Sequence, residues 1–214
     1  MAYQIKEIFY TLQGEGLNAG RPAVFCRFAG CNLWTGREQD RGSAICRFCD
    51  TDFVGMDGAG GGRFADAAAL ADAIAACWGE GQEDRYVVMT GGEPLLQLDT
   101  ALIDALHARG FAVAVESNGT LEAPAGIDWL CISPKGSAKV VQRSGNELKL
   151  VWPQAEIDPA ALEGWAFDHF LLQPKDGAMD GSDNEANRDA AIALVMERPR
   201  WRLSLQNHKA LGLP

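Results

Sequence analysis

Cys31, Cys46 and Cys49 are spaced C-x14-C-x2-C, and the closing pair reads Cys46-Arg47-Phe48-Cys49. A C-x2-C turn brings two thiolates onto one ion or cluster, and a third can come from any nearby loop. Three cysteines are one ligand short of a closed zinc site or a fully ligated iron–sulfur cluster. The missing ligand leaves one metal position open to a substrate or cofactor. Spacing alone leaves zinc and iron–sulfur both open. Cys26 could complete a zinc site, but Val24, Cys26 and Phe28 share one strand face by period 2, which assigns Cys26 to the core. Cys77, in an Ala-rich helical stretch, and Cys131, in an apolar strand, read as small buried hydrophobes.

Four apolar runs end in residues able to do chemistry. Val87-Val88-Met89 leads into Thr90-Gly91-Gly92-Glu93, and Val113-Ala114-Val115 into Glu116-Ser117-Asn118-Gly119. Leu130-Cys131-Ile132 leads into Ser133-Pro134-Lys135, and Phe170-Leu171-Leu172 into Gln173-Pro174-Lys175-Asp176. In parallel α/β folds the site lies beyond the carboxyl ends of the strands. Four such turns in register point to one shared site. His107, expected mid-helix, and His169, at a strand start, have no evident partner and read as structural, while the placement of His208 stays open.

The elements that must position these turns alternate. Apolar runs at 4–10, 23–28, 86–89, 112–115, 129–132, 147–151, 167–172 and 202–205 read as strands, and 64–78, 100–109 and 184–198 as helices. Asp99 is a candidate N-cap, Gly110 stands where a C′ glycine belongs, and Ser182-x-x-Glu185 has capping-box spacing. Strands alternating with helices build βαβ units around a parallel sheet. A complete eight-fold barrel needs about 250 residues, so 214 residues imply an α/β fold of shortened, open barrel form. One domain over 1–214 is expected, since the chain shows no repeat and no linker. The stretch 55–62 holds five glycines but lacks the Lys-Ser/Thr of a phosphate loop, and reads as a flexible surface loop.

Composition excludes several classes. Nineteen Lys and Arg against 29 Asp and Glu give a net charge of −10, which argues against a nucleic-acid surface. No apolar run approaches the ~20 residues of a membrane span. The opening Met1-Ala2-Tyr3-Gln4-Ile5-Lys6-Glu7 has no apolar segment of a secretory signal, so a cytoplasmic, thiol-reducing location is expected.

The three cysteines, with Phe48 just before the last, look like the cluster loop of radical S-adenosylmethionine enzymes. Gly91-Gly92-Glu93-Pro94 resembles that superfamily's GGE segment beside the methionine moiety. The usual loop is C-x3-C-x2-C, and here the first gap is enlarged to fourteen. A narrower family accommodates the enlargement. Glu7-Ile8-Phe9-Tyr10-Thr11-Leu12-Gln13-Gly14-Glu15-Gly16, Arg27, Gly30-Cys31-Asn32-Leu33-Trp34, Cys49-Asp50-Thr51, Thr90 to Pro94, Glu116 to Thr120, Ser133-Pro134-Lys135 and Glu147-Leu148-Lys149 together resemble 7-carboxy-7-deazaguanine synthase. Each motif alone is weak, and the ordered set covers nearly the whole chain. A glycyl-radical activating enzyme, or a non-enzymatic zinc or iron–sulfur module, is the alternative reading.

The resemblance implies conversion of 6-carboxytetrahydropterin to 7-carboxy-7-deazaguanine with loss of ammonia, on the route to queuosine and other 7-deazapurines. It implies a 4Fe-4S cluster on Cys31, Cys46 and Cys49, and S-adenosylmethionine beside Phe48, Gly92, Glu116, Ser117, Ser133, Pro134 and Lys135. Gln173, Pro174, Lys175 and Asp176 fall to the same cofactor region. The pterin would meet Leu12, Gln13, Gly14, Arg27 and Thr90. Mg²⁺ would bind at Thr51, with Asp50 in support. The apolar tail ending at Pro214 is expected to dock on the body, either to offer a carboxylate to the pterin or only to cover core surface. Partners implied are the small pterin and an electron donor such as flavodoxin or ferredoxin, and the sequence leaves room for a homodimer.

Overall fold

Alternation along the strands separates two faces of one sheet. In the computed structural model, which describes residues 2–81 and 83–214, the elements run β1 (Tyr3–Leu12), β2 (Pro22–Phe28), β3 (Gly62–Phe64), α1 (Ala67–Trp78), β4 (Tyr86–Gly91), α2 (Thr100–His107) and β5 (Ala112–Ser117). There follow β6 (Trp129–Ile132), β7 (Ser144–Trp152), α3 (Pro159–Leu162), β8 (Ala166–Pro174), α4 (Asn184–Glu197), β9 (Trp201–Leu203) and α5 (Asn207–Leu211). The nine strands form one sheet in the order β3-β1-β2-β4-β5-β6-β7-β8-β9. From β2 to β9 every neighbouring pair is parallel, while β1 pairs antiparallel with both β2 and β3. The fold is thus an open α/β barrel of mostly parallel strands.

One face of the sheet carries Val24, Cys26, Phe28, Val87, Met89, Val113, Val115, Leu148, Leu150, Phe170 and Leu172, all buried in a single core with residues of α1 to α4. Leu70 and Ile74 of α1 and Leu102 and Leu106 of α2 are fully buried there, each contributing roughly 1.5–3 kcal/mol of apolar transfer. The opposite face carries Phe25, Arg27, Glu116, Lys149 and Gln173 at the intervening positions. Cys26 is core, as its register requires. Cys131 is buried on the inner face but donates its thiol to Glu147 Oε1 at 3.4 Å, so it is more than a small hydrophobe.

Several boundaries differ from those read in the sequence. The stretch 64–78 begins as strand, because Gly62–Phe64 pairs with Tyr3–Ile5 before Asp66 caps α1 through Ala69 N. The glycine stretch 55–62 is a surface segment fastened to β1, with Ile8 N on Ala59 O at 2.7 Å and Gly58 N on Lys6 O at 3.0 Å. A Cβ at Gly61 would strike the Lys6 carbonyl, so glycine permits the close approach. Asp99 caps α2 through Leu102 N, and Gly110, at φ +76°, closes it with Phe111 N on Leu106 O. The last long helix is capped by Asp183, through Glu185 N and Ala186 N, and not by Ser182. Ser182 lies one residue too early, and its hydroxyl is held by Asp180 and Asn187. No helix among the described residues is long and apolar enough to cross a membrane.

Candidate active site

The parallel strands bring their carboxyl ends to one rim, and a cavity of about 350 Å³ opens on the inner face there. That volume falls within the range of small-molecule sites. Its wall includes Leu12, Gln13 and Gly14 from the end of β1, Phe9 and Phe25 stacked at 5.5 Å, and Arg27 of β2. Phe48, Cys49 and Thr51 of the cysteine loop face it, with Thr90 and Gly92 after β4 and Glu116 and Ser117 of β5. Ser133, Lys135, Gln173, Pro174, Asp176 and Pro214 complete the residues that the sequence had placed together. Pro134 and Lys175, expected beside the cofactor, fall outside the lining. Pro134 is buried with its carbonyl accepting from Gln154, and Lys175 turns away to pair with Asp180 at 2.7 Å.

The thiols are gathered by two turns. Cys46 is buried beneath the wall and Cys31 is half-buried, and all three are free cysteines. A hydrogen bond from Cys46 holds the Cys49 thiol down to about 6 against the effect of burial, and the same bond with burial pushes Cys46 up. Burial also raises Cys31, partly offset by the backbone amides of Leu33 and Trp34. Among the described residues, no three Cys, His, Asp or Glu side chains converge on one point as a single metal ion demands. Three soft thiols with no fourth Cys or His ligand beside them among the described residues suit a thiolate-held iron–sulfur cluster with one position left open better than a closed four-ligand zinc site.

The Gly91-Gly92-Glu93 turn is locked against that loop. A Cβ at Gly92 would strike the Gly30 carbonyl and come within 2.8 Å of Cys31 Cβ, so this glycine lets the turn pass against the cysteine loop. Glu93 is fully buried, accepting from Leu95 N at 2.9 Å, Ser117 Oγ at 2.8 Å and Asn118 N at 2.8 Å. Burial raises its carboxyl, and those hydrogen bonds pull it partway back. Lys135 donates to Ser133 Oγ and stands close enough to the thiols and Glu93 to favour their anions.

The deep wall is a charged network. Lys149 is buried, with Nζ 2.6 Å from Glu15 Oε2 and 3.1 Å from Glu116 Oε2. Gln13 Nε2 donates to Glu116 Oε1 at 2.8 Å, and Gln206 Nε2 to Glu15 Oε1 at 2.9 Å. Burial alone would raise Glu15, but Lys149 and Gln206 hold it down to about 2. Burial opposes charge on Lys149, and Glu116 and Glu15 overcome it and raise its pKa well above the ordinary value. Arg27 donates Nε to Glu7 at 2.7 Å while facing the cavity.

Sequence reasoning assigned no role to Glu15, Lys149, Gln206 or Lys209, and left His208 open. The detectable signal was Lys149 itself, a lysine between Leu148 and Leu150 in a central strand. Lys209 binds Asp50 at 2.6 Å and Asp176 at 2.5 Å, so α5 straps the cavity mouth between the cysteine loop and the end of β8. His208 lines the cavity, packed where a Gly14 Cβ would stand. His169 stacks on Trp129 at 6.0 Å, and His107 bonds Asp128 at 2.9 Å, both outside the lining.

An open, mainly parallel barrel with a three-cysteine loop and a GGE turn at its carboxyl rim defines a radical S-adenosylmethionine enzyme. No family model matches the chain. Proteins named 7-carboxy-7-deazaguanine synthase from Bordetella pertussis and Caulobacter vibrioides are 65% and 61% identical to it, covering all of both chains in each case. The crystal structure of QueE from Escherichia coli superposes with a TM-score of 0.71 at 27% identity, over 97% of this chain and 95% of that one. The chain belongs to the 7-carboxy-7-deazaguanine synthase family, enzymes of queuosine and 7-deazapurine biosynthesis that release ammonia in a radical reaction.

Proposed function

We propose that this chain converts 6-carboxytetrahydropterin to 7-carboxy-7-deazaguanine in the 350 Å³ cavity, with Cys31, Cys46 and Cys49 holding a 4Fe-4S cluster. The carrying observation is convergence: the cysteine loop, the Gly92 turn and the Gln13–Glu116–Lys149–Glu15 network meet on one cavity. When bound, the cluster and S-adenosylmethionine would supply one-electron radical chemistry toward the pterin, with Cys31, Cys46 and Cys49 holding the cluster. Everything else falls to the protein, which positions and shields the reactants.

Phe48, Gly92, Ser117, Ser133 and Lys135 form the cofactor side of the cavity, with Gln173, Pro174 and Asp176 at its margin. Glu116 joins that side to the pterin side. The Leu12–Gly14 segment and Thr90 offer donors and acceptors to the heterocycle edge, and Arg27 offers a guanidinium fork to its carboxylate. Lys149 stays protonated and keeps Glu15 ionised, so that carboxylate can only accept hydrogen bonds, which suits the N–H edge of a pterin. Thr51 provides an oxygen ligand for Mg²⁺, with Asp50 in support. Pro214 closes the pterin side. A cytoplasmic setting with a flavodoxin- or ferredoxin-type donor follows from the need for a strong one-electron reductant and reduced thiols.

Cysteine replacement tests the site. Cys31→Ala should abolish cluster loading and cleavage of S-adenosylmethionine, while Cys77→Ala, on α1, should leave both intact. Full turnover by Cys31→Ala overturns the assignment.

A further inference from the structure

We propose that Arg41 is the positioning residue of the enlarged cysteine loop, holding the Cys46–Cys49 turn in shape to receive the cluster. The inference rests on the reading of Cys31, Cys46 and Cys49 as the cluster ligands. A fourteen-residue gap between the first two ligands does not fix the second turn by chain length. Something inside the inserted segment must do so.

The inserted segment forms a 3-10 turn over Glu38–Ser43 that buries none of its residues in the core. What it delivers is one guanidinium. Arg41 Nη1 donates to the carbonyls of Arg47 at 2.8 Å and Cys49 at 3.0 Å, one inside the C-x2-C turn and one at its closing ligand. Along its other edge the fork is held by Glu38, with Nε on Oε2 at 2.7 Å and Nη2 on Oε1 at 2.6 Å. Its face lies over the Trp34 ring at 4.1 Å, and Trp34 in turn meets Phe53 edge-on at 5.6 Å. Trp34 is buried and sits three residues after Cys31, so the segment around the first ligand supports the group that shapes the other two.

The Arg41 side chain is 12% exposed and the Glu38 side chain 69%, so the pair is anchored on its arginine end. A surface i,i+3 pair would contribute little by itself. Here Glu38 fixes the fork in plane and neutralises it, leaving Nη1 directed at the two carbonyls. Lysine, a point charge on a flexible stem, cannot engage two carbonyls, a carboxylate and an indole face together. Outer groups that orient metal ligands matter to loading even though they never touch the metal.

The test uses the full chain as Arg41→Ala and Arg41→Lys beside the parent, with iron and sulfide per chain after anaerobic reconstitution and the EPR signal of the reduced cluster as readouts. Melting of the cluster-free proteins is followed in parallel. We expect Arg41→Ala to melt within about 2 °C of the parent and to lose about tenfold or more in cluster affinity. Its residual cluster should show an altered EPR signal, and Arg41→Lys should recover only a minor part of the loading. Parental loading and signal in Arg41→Ala, or full rescue by Arg41→Lys, overturns the proposal. So does an Arg41→Ala defect in melting alone with loading intact. If the parent itself binds no iron, the cluster reading fails and this inference falls with it, an outcome distinct from equal loading of all three proteins.

Discussion

Replacing Lys149 with methionine removes the one ammonium that joins two carboxylates on the deep wall. Lys149 is 3% exposed and sits 2.6 Å from Glu15 and 3.1 Å from Glu116, so the variant leaves two like charges facing one another with little water to screen them. Breaking a buried ion pair by deleting one partner costs about 3–5 kcal/mol. The depressed carboxyl of Glu15 points the same way: its fall from 4.5 to about 2, owed to Lys149 together with Gln206 and His208, corresponds to on the order of 3 kcal/mol of stabilisation above pH 4.5. At about 2–4 °C per kcal/mol for a chain this long, the melting temperature should drop by roughly 6–20 °C at pH 7.

The pH dependence has a definite sign. A carboxyl whose folded pKa is depressed contributes above its unfolded pKa and loses that contribution as pH falls through the folded value. For Glu15 the window runs from 4.5 down to about 2. Lys149, raised in the folded state, contributes below its unfolded value of 10.5 and loses it only as pH rises through the folded value, above that point. In the variant, protonation of Glu15 relieves repulsion. The gap between parent and variant, followed by calorimetry, should therefore be widest from about pH 7 to 9, begin to close above 4.5 as the buried Glu15 of the variant takes up its proton, and go on closing below about 4.5 as the parent loses its contribution. A variant melting within 2 °C of the parent at pH 7, or a gap that stays constant down to pH 3, refutes the reasoning.

Two further outcomes are expected around the same cavity. Turnover should fall on chelation of divalent ions and return on addition of Mg²⁺, and Thr51→Val should weaken that response; steady-state rates against free Mg²⁺ decide it. A few residues appended after Pro214 should raise the KM for the carboxypterin with iron content and melting temperature unchanged, and unaltered kinetics would reduce the tail to a cover.

The site was legible where chemistry follows from strand ends. Thr90, Gly92, Glu116, Ser117, Ser133 and Lys135 follow or finish apolar runs, and parallel pairing from β2 to β9 carries them to one rim. Where period 2 breaks, the reading failed or was incomplete. A register shift between Ile5 and Glu7 places Ile5 and Ile8, three apart, both in the core, so Phe9 turns to the cavity. Lys149 sits on an inward position whose partners, Glu15 and Glu116, lie 134 and 33 residues away, and such pairing has no local signal. The strap α5 was hidden because five residues between Gln206 and Gly212 carry no periodicity. β3 was divided between two readings, Gly62 in the glycine loop and Phe64 at the start of the helix over 64–78, since Phe64 precedes the Asp66 cap without a break in polarity.

The central claim is that this cavity makes a deazapurine from a carboxypterin. The direct measurement is an anaerobic reaction of the reconstituted chain with 6-carboxytetrahydropterin, S-adenosylmethionine, Mg²⁺ and a strong reductant, read by mass spectrometry and an ammonia assay. The account predicts 7-carboxy-7-deazaguanine and ammonia in equal amounts, dependent on all three cysteines. Cleavage of S-adenosylmethionine by the loaded enzyme, with the carboxypterin returned unchanged and no ammonia released, would contradict it.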